Sequence, residues 1–261
     1  MNIIITIAVT ALVVLYTGLF KAKKALLPIT LLGLLVALGF TVCSWDQPTV
    51  HFQMMQIDNF ALAFAAISII GTGLIFLLTQ RYFAENSPNT AEYFTLILFA
   101  LCGIIIMVSY KNLSMLFVGL EIMSVCLYIL AGIRKLNFAS NEASLKYFLM
   151  GAFSTGFLLF GIALVYGATG SFDIDVIQTN LVNNVTNVSP LFYPGIILMM
   201  VGLCFKVGAA PFHFWTPDVY EGAPSLITAF MSTVVKTAGF AAFLRLFAGA
   251  FEPLHDFWMP A

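Results

Sequence analysis

The chain has 261 residues, of which 61% are hydrophobic and 9% charged, and its formal net charge is −1. Soluble domains are about 25% charged, so a mean hydropathy of +1.00 indicates a polytopic membrane protein and excludes a soluble globular one. The near-zero net charge excludes the basic footprint of a nucleic-acid-binding protein.

Apolar runs follow one another along the whole chain. Each is similar in length to a transmembrane helix, which needs about 20 residues to cross a bilayer core. They are Ile3–Phe20, Leu26–Val42, Phe60–Leu78, Tyr93–Tyr110, Leu113–Gly132, Ala143–Tyr166, Tyr193–Ala210 and Leu226–Phe247. The sequence therefore predicts an all-α polytopic membrane protein with about eight transmembrane helices.

Basic residues predict the orientation of these spans, because cytoplasmic loops are enriched in Lys and Arg. The first span is followed by "KAKK" (Lys21–Lys24), and Arg81, Arg134 and Lys135 fall on the same side by counting. Both ends of the chain are then outside. Arg245, at the outer end of the eighth span, is expected to snorkel to the interface.

Ionisable residues divide the chain into two parts. The first four apolar runs contain none, whereas the last four contain Glu121, Lys146, Lys206 and Lys236. A charge at the bilayer centre costs about 2.5–3.5 kcal/mol and usually marks an ion path. A buried Glu–Lys pair that fixes helix packing is the structural alternative, but it leaves one lysine unexplained.

The polar stretch "RYFAENSPNTAEY" before the fourth span is the best internal boundary.

The seventh span carries its lysine next to helix breakers, in "GLCFKVGAAPFHFW". Gly208 and Pro211 both disfavour a continuing helix. Irregular backbone at membrane depth is tolerated inside protein or along a water-filled cavity. We therefore predict a discontinuous helix, with regular hydrogen bonding lost between Lys206 and Pro211.

Lys206 has the chemistry of a proton carrier. Burial disfavours the charged form of a lysine and a nearby carboxylate favours it. If Glu121 neighbours Lys206, their separation sets whether the ammonium keeps its proton, with Lys236 as the next acceptor. An arginine could not release its proton there.

Two further residues carry weaker predictions. Lys146 follows Glu142 by four residues, so a surface ion pair competes with a role at the proton entrance. His213 is either a proton relay or a ring hydrogen-bonded to backbone freed by the break. Asp218, after the break, is expected to cap or pair locally.

The sequence lacks the glycine motifs of nucleotide-binding loops and the clustered ligands of a metal site. Its four cysteines are scattered without metal or redox spacing, which is typical of packing residues. They are Cys43, Cys102, Cys126 and Cys204. Any redox chemistry is therefore expected on another chain.

At "GLCFKVGAAPFHFWTPDVYEGAP" the sequence resembles the antiporter-like membrane subunits of respiratory complex I, most closely the N type (subunit 2 in mitochondria). "LFVGLEIMSVCLYILAG" around Glu121, "NEASLKYFLMGAFSTGFLLFGIALVYGATG" around Lys146 and "MSTVVKTAGFAAFLRLF" around Lys236 extend the resemblance. The motifs lie in the family's order from Leu116 to Phe247, and a lysine at position 236 favours the N type.

The resemblance implies an organisation in three parts. Residues 1–90 are then three peripheral N-terminal helices, and residues 91–250 are a five-helix proton-channel unit, the first half of an inverted repeat. Residues 251–261 are the truncated connection to a second repeat that is missing here. Such a chain is expected to hold a half-channel.

The resemblance also implies a function: a proton-translocating membrane-arm subunit of NADH:quinone oxidoreductase in a bacterial inner membrane (alternatively, an organellar one). Glu121, Lys206 and Lys236 are then the proton-transfer residues, and Lys146 matches a lysine of the N type. NADH, FMN, iron–sulfur clusters and quinone are expected on other subunits, and the partners are lipid and other membrane-arm subunits, including antiporter-like neighbours. A sodium/proton antiporter subunit, a membrane-bound hydrogenase subunit and a structural scaffold remain open as alternatives.

Overall fold

The computed structural model of the chain describes residues 1–20, 22–82, 90–183 and 188–259. A two-stranded antiparallel hairpin, β1 (Thr49–His51) with β2 (Met55–Ile57), lies between the second and third helices. The helices are α1 Asn2–Leu19, α2 Lys23–Cys43, α3 Asn59–Tyr82, α4 Thr90–Val108, α5 Leu113–Ala131, α6 Phe138–Thr169, α7 Ile174–Asn183, α8 Phe192–Val207, α9 Thr216–Gly222, α10 Ser225–Ala250 and α11 His255–Trp258, with a 3-10 turn at Glu252–Leu254.

The described helices match the predicted spans. Seven of them, α1 to α6 and α10, are long and apolar enough to cross a membrane, and α8 is a shorter apolar helix of 16 residues. The predicted all-α polytopic class is therefore confirmed. The predicted boundary near residue 90 adjoins residues 83–89, and the last predicted segment includes residues 260–261; both lie outside the described residues.

The central helix is α4, which packs against α1, α3, α5 and α10. Close approach of α4 and α5 depends on two glycines. A Cβ on Gly103 would lie 2.6 Å from the Met123 backbone nitrogen and 2.7 Å from the Gly119 carbonyl oxygen. Small residues at helix contacts are typical of membrane proteins.

The helix that carries Lys206, α8, also approaches its neighbour α6 closely at glycine residues. A Cβ on Gly161 would lie 2.7 Å from the Gly195 carbonyl oxygen, and one on Gly202 would lie 2.8 Å from the Leu158 side chain. The end of α8 also contacts α5, through Lys206 and Ser124, and α10, so three helices surround it.

On the predicted outer side, segments that the hydropathy pattern did not reveal form a layer. The hairpin bonds to the α4–α5 connection, since the Lys111 N–H donates to the Met54 carbonyl at 2.9 Å. The Ile174 N–H then donates to the Lys111 carbonyl at 3.0 Å, which places α7 beside this connection. The layer covers the outer end of α10, which α7 contacts.

The eighth predicted span, α10, is interrupted. Its hydrogen bonding is π-helical at Met231–Val235 and again at Leu246–Ala250. The predicted span Leu226–Phe247 lies within this helix, and the hydropathy pattern did not reveal the two π-helical segments. The first π segment ends immediately before Lys236.

Arg245 differs from its prediction. Its side chain is 8% exposed, and its Nη2 lies 2.6 Å from Oδ1 of Asp58, the residue before α3. The guanidinium also lies 4.9 Å from the centroid of the Phe60 ring. The snorkelling prediction is wrong, because an acidic partner distant in sequence lies within reach inside the protein.

Candidate functional site

The predicted break in the seventh span is present. The α8 helix ends at Val207, and Gly208 follows with a left-handed φ of 69°. The Ala209 N–H donates to the Cys204 carbonyl at 2.9 Å, which caps the helix as glycine-terminated helices commonly do. Regular helix returns at Thr216, so the break includes the predicted stretch up to Pro211.

Trp215 holds the broken segment in place. Its side chain is 1% exposed, and its Nε1–H donates to the Phe205 carbonyl at 3.0 Å. The Trp215 ring stacks on the Tyr147 ring of α6, with centroids 4.9 Å apart and an angle of 10°. The indole therefore satisfies a carbonyl at the helix end and joins the break to α6.

Lys206 is buried where α5, α6 and α8 meet, with 5% of its surface exposed. Its Nζ donates to the Ser124 hydroxyl at 2.8 Å and to the Tyr147 hydroxyl at 3.3 Å. The ammonium also lies 5.4 Å from the Tyr147 ring centroid. The described partners of this buried charge are therefore neutral.

Glu121 lies one turn before Ser124 on the same face of α5, and Ser124 contacts Lys206. Its Oε1 atom is buried and has no hydrogen-bond partner among the described residues. The described ion pairs do not include Glu121 with Lys206. The sequence left open whether Glu121 pairs with Lys206. In the described structure a serine hydroxyl, and not this carboxylate, accepts a hydrogen bond from the lysine.

Lys236 faces the break from α10 and is half-buried. Its Nζ lies 5.6 Å from the Tyr220 ring centroid, and 3.7 Å from where a Cβ on Gly208 would lie. The described part of the chain offers it neither a hydrogen bond nor an ion pair. Lys236 therefore lies at the same helix break as Lys206.

Lys146 is linked by an ion pair to α9, the helix that follows the break. Its Nζ lies 2.8 Å from the Glu142 carboxylate and 2.7 Å from the Asp218 carboxylate of α9, and its side chain is 36% exposed. The predicted i,i+4 pair is confirmed, whereas Asp218 bonds across helices rather than locally. The next residue, Tyr147, is the one that contacts Lys206.

His213 is exposed in the irregular segment between Pro211 and α9. The described residues show no hydrogen bond from its ring to the freed backbone, and Trp215 has that part instead. The structure therefore shows no link between His213 and the lysines among the described residues.

Sequence reasoning missed Ser124, Tyr147 and Trp215. A signal existed for Ser124, because it follows Glu121 by three residues and so shares its helix face. Tyr147 and Trp215 gave no signal apart from being aromatic residues near a lysine and a break. Within the described ranges, no group of three or more His, Cys, Asp or Glu side chains has the arrangement of a metal site.

Comparison with known proteins identifies the family of the chain. Residues 110–259 match the family model described as "NADH:quinone oxidoreductase/Mrp antiporter, TM". NADH-quinone oxidoreductase subunit N of Cytophaga hutchinsonii is 44% identical over 253 residues, which are 97% of this chain and 54% of that protein. The protein of the same name from Flavobacterium psychrophilum is 42% identical over 247 residues, covering 94% of this chain and 54% of its own length.

Solved structures show the same fold. A chain of respiratory complex I from Thermus thermophilus has a TM-score of 0.81 and 34% identity, over 98% of this chain and 55% of its own. A chain of the Mrp complex from Dietzia matches with a TM-score of 0.81 at 19% identity, over 96% and 49%, and so shows the fold alone. The chain spans about half the length of the curated relatives that it matches. It belongs to the family of transmembrane subunits of NADH:quinone oxidoreductases and Mrp antiporters.

Proposed function

We propose that this chain carries the first half of an N-type, proton-translocating membrane-arm subunit of NADH:quinone oxidoreductase. The observation that carries the proposal is Lys206, a buried ammonium held by hydroxyls of two other helices beside a helix break. The relatives named subunit N and the complex I chain support the same function.

The proposed mechanism depends on how weakly the proton on Lys206 is held. Its described partners are neutral oxygens, so the nearby Glu121 carboxylate decides how well the charge is tolerated. At an effective dielectric near 20, a carboxylate adds roughly 4 kcal/mol of attraction at about 4 Å and less at the longer separation of Glu121 and Lys206. Protonation or withdrawal of Glu121 would remove that attraction and release the proton from Lys206.

Lys236 is the proposed next acceptor, because it faces the same break without an ion pair among the described residues. Lys146 is proposed at the cytoplasmic entrance, where Glu142 and Asp218 attract protons from water. His213, exposed at the break, is a proposed relay.

In this scheme residues 91–250 form the proton unit, residues 1–90 lie beside it, and residues 251–261 begin the connection to a second repeat.

The rest of the assembly is proposed from the relatives. NADH, FMN, iron–sulfur clusters and quinone would bind other subunits, and antiporter-like subunits and lipid would contact this one. The location would be a bacterial inner membrane with the N-terminus outside. An Mrp-type sodium/proton antiporter is the second candidate, because the family model that matches this chain includes Mrp antiporters.

The test measures quinone-linked proton translocation by the assembled complex in sealed vesicles, with the subunit at full length. Lys206→Ala, Lys206→Arg and Glu121→Ala should each lower translocation at least about tenfold, whereas Lys135→Ala, at an exposed lysine, should not. Normal pumping by Lys206→Arg would exclude proton release from this residue and favour a structural role. Sodium-dependent translocation without quinone turnover would favour the antiporter.

A further inference from the structure

Beside the helix break, two buried hydroxyl groups stand without a hydrogen-bond partner among the described residues. They are the Oγ1 atom of Thr216, the first residue of α9, and the phenol of Tyr220 one turn later. Buried polar atoms nearly always have a partner, in the protein or in ordered water, so each exception needs an explanation. Two exceptions within one turn point to a shared cause.

Gly208 defines the place that these groups border. A Cβ built on Gly208 would lie 3.0 Å from the Thr216 Oγ1 atom and 3.7 Å from the Lys236 Nζ atom. A hydroxyl and the amino group of Lys236 therefore face the same space across a residue that has no side chain. The Tyr220 ring lies beside this amino group, with its centroid 5.6 Å from Nζ.

We propose that Thr216 is a positioning residue for proton transfer to Lys236. Its hydroxyl and the Lys236 nitrogen hold a water molecule between them, over Gly208. A hydroxyl has one donor hydrogen and two acceptor lone pairs, so Thr216 can orient this water without changing its own charge. The inference rests on the proposed function, because it presupposes that Lys236 receives protons.

The transfer balances without another reactant. A proton arriving from Lys206 forms an O–H bond on the water, and another O–H bond of that water breaks as its proton forms an N–H bond on the neutral Lys236 amine. Lys206 is left as a neutral amine, Lys236 becomes an ammonium, and the water and Thr216 end unchanged. A methyl group on residue 208 would project into the space between Thr216 and Lys236 and crowd the water.

The experiment uses the assembled complex in sealed vesicles and measures proton translocation in H2O and in D2O. Thr216→Val keeps the shape of the side chain but loses the hydroxyl, and we expect about a tenfold lower rate with a larger solvent isotope effect. Thr216→Ser restores the hydroxyl and should stay within about twofold of the original rate. The matched control is Thr237→Val, next to Lys236, where the lost hydroxyl bonds instead to the Thr233 carbonyl.

An original rate in Thr216→Val would overturn the proposal. So would a Thr216→Ser variant as slow as Thr216→Val, since the hydroxyl would then not be what matters. If Thr216→Val fails to assemble, Thr216→Ala removes the same hydroxyl with less bulk and carries the same expectation. Lys206→Ala, measured alongside, separates the two ideas: full activity there overturns the proposed function, whereas its loss beside an active Thr216→Val overturns only this inference.

Discussion

Lys206 of α8 donates a hydrogen bond of 2.8 Å to Ser124 of α5. It does so although α5 also carries the carboxylate of Glu121, one turn before Ser124. The serine hydroxyl donates in turn to the Leu120 carbonyl at 2.6 Å, so its lone pairs are directed towards the lysine. The neutral partner rather than the acidic one therefore positions the ammonium in this structure.

Ser124→Ala should destabilise the protein by about 2 kcal/mol, because hydrogen bonds to charged groups are worth more than neutral ones. The measurement is thermal unfolding in lipid nanodiscs. Ser109→Ala is the matched control, since Ser109 is equally buried and its hydroxyl also donates to a backbone carbonyl, that of Ile105, at 2.6 Å. Equal losses in the two variants would mean that the bond to Lys206 contributes nothing.

Trp215→Phe should keep the ring stack on Tyr147 but lose the hydrogen bond to the Phe205 carbonyl, at a cost of about 1 kcal/mol. Hydrogen exchange should then rise selectively at residues 208 and 209, whose N–H groups cap α8. Trp258→Phe loses a similar bond, to the Phe251 carbonyl at 2.9 Å, far from the break. An unchanged exchange rate at the break in Trp215→Phe would contradict the assigned role.

Arg245→Met should cost about 3 kcal/mol, because removing one partner of a buried ion pair leaves the other charge uncompensated. The Asp58 side chain is 26% exposed, so water moderates the loss. Adding Asp58→Asn should recover part of it, and a double-mutant cycle by thermal unfolding measures the coupling. Additive losses would show that the two side chains do not interact.

Gly103→Ala should disrupt the packing of α4 on α5, because the new methyl group would meet backbone atoms that cannot move aside. The expected loss is about 1–3 kcal/mol, as for other overpacked cores. Gly156→Ala in α6 is the control, since nothing lies within 4 Å of its Cβ position. That variant should be neutral or stabilised by up to about 1 kcal/mol, because alanine favours a helix.

Lys111 on the outer side gives a pH-dependent prediction. A hydrogen bond to Asp175 raises the pKa of Lys111, the charges of Asp175 and Asp173 add to the effect, and burial opposes it. A raised pKa means that the ion pairs stabilise the fold below the unfolded value of about 10.4 and lose that contribution as pH rises through the folded value.

Lys111→Met should therefore cost about 0.5–1 kcal/mol at neutral pH, and the difference from the parent protein should vanish at strongly alkaline pH. Thermal unfolding of both proteins across the range measures it. A difference that stays constant over the alkaline range would rule out the ion pairs as its source.

The membrane spans and the helix break could be predicted from sequence because each has a local cause. The length of an apolar run is read directly, and Gly208 with Pro211 must interrupt a helix wherever it packs. The motifs around Glu121 and Lys206 also indicate the family from the sequence alone.

The partners of the charges could not be predicted in the same way. Whether Lys206 meets Glu121 or Ser124 depends on the rotation of α5 against α8, which hydropathy does not specify. Arg245 finds Asp58 at a separation of 187 residues. The π-helical turns of α10 are shifts in hydrogen-bond register within a run that remains apolar, and α7 and the hairpin are too short for the span pattern to reveal.

The stack of Trp215 on Tyr147 also makes the molecule its own optical probe. The Tyr147 hydroxyl accepts from Lys206, so gain or loss of a charge there changes the electric field at the adjacent indole and shifts its emission. The sequence has three tryptophans and nine tyrosines. Replacing Trp45 and Trp258 with phenylalanine would leave Trp215 as the single tryptophan, which can be excited selectively at wavelengths that tyrosine does not absorb. Fluorescence of such a protein would follow the protonation of one buried lysine in real time, without an added dye.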